Sequence, residues 1–102
     1  MWQYILKGHE AVPEPDLLTW ARWLEENQES LVADETVGAI RISTVFLGLD
    51  HNIFGRDRPA LFQTMTFGGP DQYEVCERYS TWEEAEAGHK RIVDKAREAA
   101  LS

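Results

Sequence analysis

The N-terminal part of the chain changes from a period of two to a helical period. Residues 2–6 alternate in the manner of a short strand, and the stretch GHEAVPEP after them is typical of a connector. Asp16 is suited to cap a helix, because apolar residues then recur at helical spacing. These apolar residues are Leu17, Trp20, Ala21 and Leu24. The pattern predicts a strand over 2–6 and a helix over 16–30.

Three further strands are predicted in the middle of the chain. Residues 37–49 are rich in β-branched and aromatic side chains that alternate between two faces, so they form the clearest strand. Residues 61–67 and 73–79 also alternate, and the sequence GGPDQ between them is typical of a turn. The segment 50–59 contains Gly, Asn, Asp and Pro, which favour an exposed loop.

A second helix is predicted at the C-terminal end, over 81–99. Either Ser80 with Glu83 or Thr81 with Glu84 forms a capping box at its start. The apolar stripe that follows consists of Trp82, Ala85, His89, Ile92, Val93 and Ala96. The predicted order is therefore β-α-β-β-β-α.

The predicted fold class is α+β. Packing both helices on one face of a four-stranded, mainly antiparallel sheet is the simplest way to bury both apolar stripes. The 102 residues, 43% of them hydrophobic, suffice for one core, so a single domain over 1–102 is expected.

Charge and cysteine content restrict the kinds of partner. A formal net charge of −8 opposes binding to an extended nucleic acid or an anionic membrane. No apolar run approaches the length of a membrane span. Cys76 is the single cysteine, which is compatible with a reducing cytoplasm.

Familiar catalytic and cofactor motifs do not occur in the sequence. His9, His51 and His89 are far apart and form no HExxH or HxxxH pair, so no metal site is predicted. GxSxG, SxxK, GxGxxG and GxxxxGK[ST] are also missing, so no catalytic residue is assigned and no cofactor is expected. His89 lies on the apolar stripe. It is either a partly buried histidine whose hydrogen bonds are made within the fold, or a ligand-binding residue or base.

Asp50 and His51 stand together where the 37–49 strand ends. They are either a turn-forming aspartate with an exposed histidine, or the acid and base of a small hydrolase, with or without a metal. The sequence leaves both alternatives open.

A compact anion site is the main binding hypothesis. Arginines in the 50–59 loop and on the last strand could converge on the start of the second helix, where Tyr79 offers a stacking face. Glu83 and Glu84 beside that helix start oppose it. The candidate ligand-binding residues are Asp50, His51, Arg56, Arg58, Arg78 and Tyr79.

Three segments resemble a family of small proteins that tailed phages and prophages encode and that has no assigned function. The segments are STVFLGLDH (43–51), LFQTMTFGG (61–69) and RYSTWEEAEAGH (78–89). The resemblance implies a phage accessory protein that acts in the host cytoplasm. Such a protein would block a host defence component or sequester a small nucleotide immune signal.

Several partners remain open at this point. The binding hypothesis requires a host protein or a small nucleotide-like ligand, with no extended nucleic acid and no membrane. A homodimer is expected because pockets in small domains often form between subunits. The remaining alternative is a structural or assembly role in the virion.

Overall fold

The computed structural model describes residues 3–27, 31–50, 58–68 and 73–101. The elements in chain order are β1 (Tyr4–Lys7), β2 (Glu10–Pro13), α1 (Leu17–Glu26), β3 (Leu31–Val37), β4 (Ile40–Phe46), β5 (Phe62–Phe67), β6 (Tyr73–Tyr79) and α2 (Trp82–Leu101). Strands β3 to β6 form an antiparallel four-stranded sheet in sequential order. The predicted α+β class and its four-stranded sheet are confirmed.

Strands β2 and β3 are absent from the predicted order, which is therefore corrected to β-β-α-β-β-β-β-α. β1 pairs with β2 in a separate hairpin, with Lys7 opposite Glu10, and β3 takes the place in the large sheet predicted for the first strand. The predicted 37–49 strand is interrupted by a two-residue turn, because Val37 pairs with Ile40. Gly38 in this turn has φ +60°, a left-handed conformation that glycine adopts without steric cost.

The two helices pack in different places. α2 lies across all four strands of the large sheet, whereas α1 lies mainly against β1. Trp23 of α1 meets the sheet edge-on at Phe46, with ring centroids 5.8 Å apart. None of the ten residues of α1 is buried, and Leu17 is 61% exposed. α2 therefore packs on the sheet as predicted, whereas α1 packs mainly on β1. The predicted apolar face of α1 is wrong at Leu17 and Ala21, which are exposed.

The main core lies between α2 and the large sheet. It contains Phe46, Leu61, Phe62, Tyr79 and Ala85, joined by Ile42 and Val93. Burying a large apolar side chain such as Phe62 contributes roughly 1.5–3 kcal/mol, so this layer holds α2 in place. Within the described residues, no helix is long and apolar enough to cross a membrane.

Candidate functional site

A cleft of about 650 Å³ opens between the β1–β2 hairpin and the start of α2. This hairpin cleft is lined by Tyr4, Lys7, His9, Glu10, Ala11, Arg58, Pro59, Leu61, Ser80, Thr81 and Glu83. Its volume lies within the range of about 300–1,000 Å³ that is usual for small-molecule pockets. The lining combines an apolar part at Leu61 with charged groups and hydroxyls, as such pockets commonly do.

The hairpin is held in place by the segment that follows β4. The Tyr4 backbone N–H donates to the Gly48 carbonyl oxygen at 2.8 Å, and the Trp20 indole N–H donates to the same oxygen at 3.1 Å. Gln3 and Leu49 add an isolated antiparallel bridge. These contacts fix β1, and with it the position of Lys7 at the mouth of the hairpin turn.

His9 joins the hairpin turn to the first residue of α2. Its imidazole stacks on the Trp82 indole with ring centroids 3.9 Å apart and planes inclined by 4°. The turn that carries His9 is tight, since Gly8 has φ +64°. His9 therefore forms part of the cleft boundary, and its stacking on Trp82 holds it there.

Charges of both signs line the cleft. Lys7 and Arg58 contribute positive charge, and Glu10 and Glu83 contribute negative charge. These four charges sum to zero, whereas the chain as a whole has a net charge of −8, so the cleft repels an anionic group less than the average surface of the chain does.

Arg58 is positioned by the cap of α2. Its guanidinium makes a two-pronged ion pair with Glu84, from Nη1 to Oε2 at 2.9 Å and from Nη2 to Oε1 at 2.6 Å. Thr81 Oγ1 accepts from the Glu84 backbone N–H at 3.1 Å and donates to the Glu84 carboxylate, so Thr81 with Glu84 is the capping box. The hydrogen bond from Arg58 is the main reason that the pKa of Glu84 is lowered, and Glu84 in turn raises the pKa of Arg58.

Ser80 connects the two chain segments that meet at the cleft. Its hydroxyl donates to the Pro59 carbonyl oxygen at 2.5 Å. A hydroxyl that donates in this way keeps lone pairs with which it can accept a further hydrogen bond. Ser80 can therefore serve the fold and a ligand at the same time.

Two of the four candidate residues predicted between positions 50 and 58 lie in the described part of the structure. Arg58 lines the cleft, as the anion hypothesis requires. Asp50 Oδ1 accepts from the Ala60 backbone N–H at 3.0 Å, which ties together the two ends of the loop and favours its turn-forming interpretation. His51 and Arg56 lie outside the described residues, so the hydrolase alternative stays a prediction.

Arg78 and Tyr79 do not meet, because neighbouring residues in a strand point to opposite faces of a sheet. Arg78 is exposed, and its Nε donates to Gln63 Oε1 at 3.0 Å. Tyr79 lies under α2 and is only 9% exposed, with its hydroxyl 2.9 Å from Thr64 Oγ1. The predicted convergence of Arg58, Arg78 and Tyr79 on one site, with Tyr79 as a stacking face, is therefore wrong.

Lys7 and His9 are cleft residues that the sequence analysis assigned to no site. The missed signal is a hairpin in which two short strands are separated by the two residues Gly8 and His9. The Pro at position 13 and the polar residues around it made the second strand resemble a connector. Because β2 is not predicted from the sequence, the sequence does not indicate that residues 7–11 turn back beside Arg58.

The described residues contain no group of three or more His, Cys, Asp or Glu side chains that could hold a metal ion. No protein-family model, curated protein or solved structure matches the chain.

Proposed function

We propose that the protein is a phage-type accessory protein that binds a small nucleotide-like anion in the hairpin cleft and thereby sequesters a host immune signal in the host cytoplasm. The observation that carries the proposal is a ligand-sized cleft whose lining includes basic, hydroxyl and apolar groups. The phage origin rests on the resemblance of the three sequence segments.

The chemistry of the lining supports a ligand with distinct parts. Lys7 provides a charge-assisted donor for a phosphate group, and charge-assisted hydrogen bonds are about twice as strong as neutral ones. Arg58 lines the same cleft, with part of its charge compensated by Glu84. Tyr4 and Leu61 provide an apolar surface for a planar base. A nucleotide presents both parts within one molecule.

The two carboxylates of the cleft restrict the kind of ligand, because they need hydrogen-bond donors. Ionised carboxylates only accept hydrogen bonds, so Glu10 and Glu83 favour hydroxyl donors and disfavour a second cluster of phosphates. A ribose supplies such donors. The proposal therefore favours a ribonucleotide with few negative charges, such as an ADP-ribose-type molecule, over a triphosphate.

Isothermal titration calorimetry tests this proposal with ADP-ribose, AMP and a cyclic dinucleotide, and with inorganic phosphate as the reference anion. Lys7→Glu should weaken binding at least tenfold, because it replaces an attractive contact by a repulsive one, and tenfold corresponds to about 1.4 kcal/mol. The matched control is Lys90→Glu, which makes the same charge change at an exposed position on α2 outside the cleft.

Two outcomes contradict the proposal. Absence of binding heat for all the nucleotides removes the small-ligand function and leaves the blocking of a host protein as the remaining form of the binding hypothesis. Equal weakening in Lys7→Glu and Lys90→Glu shows a response to net charge and not to the cleft.

A further inference from the structure

A continuous chain of hydrogen bonds runs beneath α2 from one edge strand of the large sheet towards the other. We call it the hydroxyl chain, and its members are Glu35, His89, Thr44, Thr64 and Tyr79. His89 Nε2 lies 3.2 Å from Glu35 Oε1, and His89 Nδ1 lies 2.7 Å from Thr44 Oγ1. Thr44 Oγ1 lies 2.6 Å from Thr64 Oγ1, which lies 2.9 Å from the Tyr79 hydroxyl.

The interior of this chain is closed to solvent. Thr44 and Thr64 are both 0% exposed, and His89 is 2% exposed. A hydroxyl at such a position depends on its protein partners, because an unpaired buried polar group costs about 1–3 kcal/mol. Every hydrogen in the chain must therefore have an acceptor within the chain or at its ends.

The hydroxyl chain ends at the Glu35 carboxylate on one side and lies near the Glu77 carboxylate on the other, and α2 binds both carboxylates. Glu35 on β3 pairs with Arg97, whose Nη2 lies 3.3 Å from Oε2. At the other end, Glu77 precedes Tyr79 by two positions on β6, so the two side chains lie on the same face of the sheet. The Glu77 carboxylate is near enough to contribute to the raised pKa of Tyr79, and it pairs with Arg91. The hydroxyl chain thus has an acceptor available at both of its ends.

The direction of the chain follows from the protonation of His89. A carboxylate only accepts, so Nε2 carries the hydrogen donated to Glu35, and Nδ1 of a neutral imidazole must then accept from Thr44. Thr44 has one hydrogen, so it accepts from Thr64. By the same reasoning Thr64 accepts from Tyr79.

We propose that protonation of His89 reverses the hydroxyl chain, so that Tyr79 stops donating to Thr64 and donates to Glu77 instead. The added proton forms an Nδ1–H bond that donates to Thr44, Thr44 then donates to Thr64, and Thr64 donates to Tyr79. One proton is taken from solvent, and each hydroxyl keeps one hydrogen.

The surroundings of His89 allow both charge states. Glu35 faces it from β3 and Thr44 faces it from β4, with Thr64 and Tyr79 beyond Thr44 on β5 and β6. Asp34, on the opposite face of β3, acts on it only through the charge of its carboxylate. The charged residues of its own helix that line the adjoining groove are Glu86, Lys90, Asp94 and Arg97. The Glu35 carboxylate can compensate the positive charge of an imidazolium, and the neutral form satisfies both ring nitrogens.

The proposal is tested by NMR on protein carrying ¹⁵N-histidine and ¹³C-tyrosine, titrated between about pH 8 and pH 5, where histidine changes charge. At the upper end His89 should be the Nε2–H tautomer. On acidification the ring carbon that bears the Tyr79 hydroxyl should shift with the same midpoint as His89. Spectra of Tyr79→Phe and His89→Gln assign the two signals.

Thr44→Val separates a hydrogen-bonded relay from an effect of charge through space. This change removes the hydroxyl and keeps the shape, so the Tyr79 shift should be lost. Thr66→Val, the same substitution elsewhere on the sheet and outside the chain, should leave the shift intact.

Three results overturn the proposal. They are an Nδ1–H tautomer at high pH, a Tyr79 signal that does not follow His89, and a Tyr79 shift that persists in Thr44→Val. The first two are measured on the unmodified protein, so they remain decisive if Thr44→Val does not fold.

Discussion

Tyr79 and Gly88 illustrate how closely single residues fit between β6 and α2. A methyl group added at Gly88 would overlap the ring and the hydroxyl of Tyr79. Glycine in a helix interior ordinarily costs about 1 kcal/mol relative to alanine, so its presence here is explained by this contact.

Gly88→Ala should therefore destabilise the protein by about 1–3 kcal/mol, as overpacking of a core does. Urea denaturation followed by circular dichroism measures the change. At an exposed helix position the same substitution would be stabilising, so a higher urea midpoint would show that Tyr79 does not pack on Gly88.

The burial of Tyr79 predicts a response to alkaline pH. Burial is the largest cause that raises the pKa of Tyr79 above its ordinary value of 10.0, so the folded protein disfavours the tyrosinate. The protonated Tyr79 hydroxyl therefore stabilises the folded state below about pH 10, and this stabilisation is lost as the pH rises through the pKa of Tyr79 in the folded protein.

Tyr79→Phe should be about 1 kcal/mol less stable at neutral pH, because it loses the hydrogen bond to Thr64. Above pH 10 the unmodified protein should lose stability faster, so the difference should narrow. Denaturation curves across this pH range measure it, and a constant gap would contradict the burial argument.

Among the residues, the apolar stripe of α2 could be predicted from the sequence, including the inward position of His89. Its hydrogen-bond partners could not, because Thr44 and Glu35 come from strands 45 and 54 positions away along the chain. The same limit applies to the pairing of Arg58 with Glu84 across 26 positions.

At the level of elements, regular patterns were sufficient for α2, β5 and β6. Strand β3 was missed because Ala33, Asp34 and Glu35 are residue types that strands disfavour, and the inward position is occupied by Glu35. This glutamate is explained by its bond to His89, which no local pattern reveals.

The start of α2 gives a prediction for acidic pH. The pKa of Glu84 is lowered from 4.5, chiefly by its hydrogen bond with Arg58, so the carboxylate stabilises the fold above that pH. The stabilisation is lost as the pH falls through the folded pKa.

Glu84→Gln should lower the free energy of unfolding by about 0.5 kcal/mol at neutral pH, a small loss because the Arg58–Glu84 pair is largely exposed. At a pH below the pKa of Glu84 in the folded protein, the substitution should have no effect. Thermal denaturation at several pH values measures this. Glu83→Gln, which removes a charge from the same helix turn without breaking the pair, is the control and should lack this acid-dependent loss.

The whole molecule exposes more surface than its length suggests. Its accessible area is 6898 Å², whereas the size scaling for folded monomers gives about 5,900 Å². The excess of about 1,000 Å² is comparable to the roughly 800 Å² that one partner buries in a standard interface.

The expected homodimer stays a prediction, which a measurement of the solution mass tests. Sedimentation equilibrium at micromolar concentration should give twice the chain mass. A single species of one chain mass across that concentration range would contradict the prediction.

Amide chemical-shift mapping with ADP-ribose tests whether the hairpin cleft binds a ribonucleotide. Shifts should concentrate on residues 7–11, 58–61 and 80–84, and Lys7→Glu should reduce them at a ligand concentration near the Kd of the unmodified protein. Shifts centred on the far side of the sheet around Arg41 and Arg78, or no shifts at saturating ligand, would contradict it.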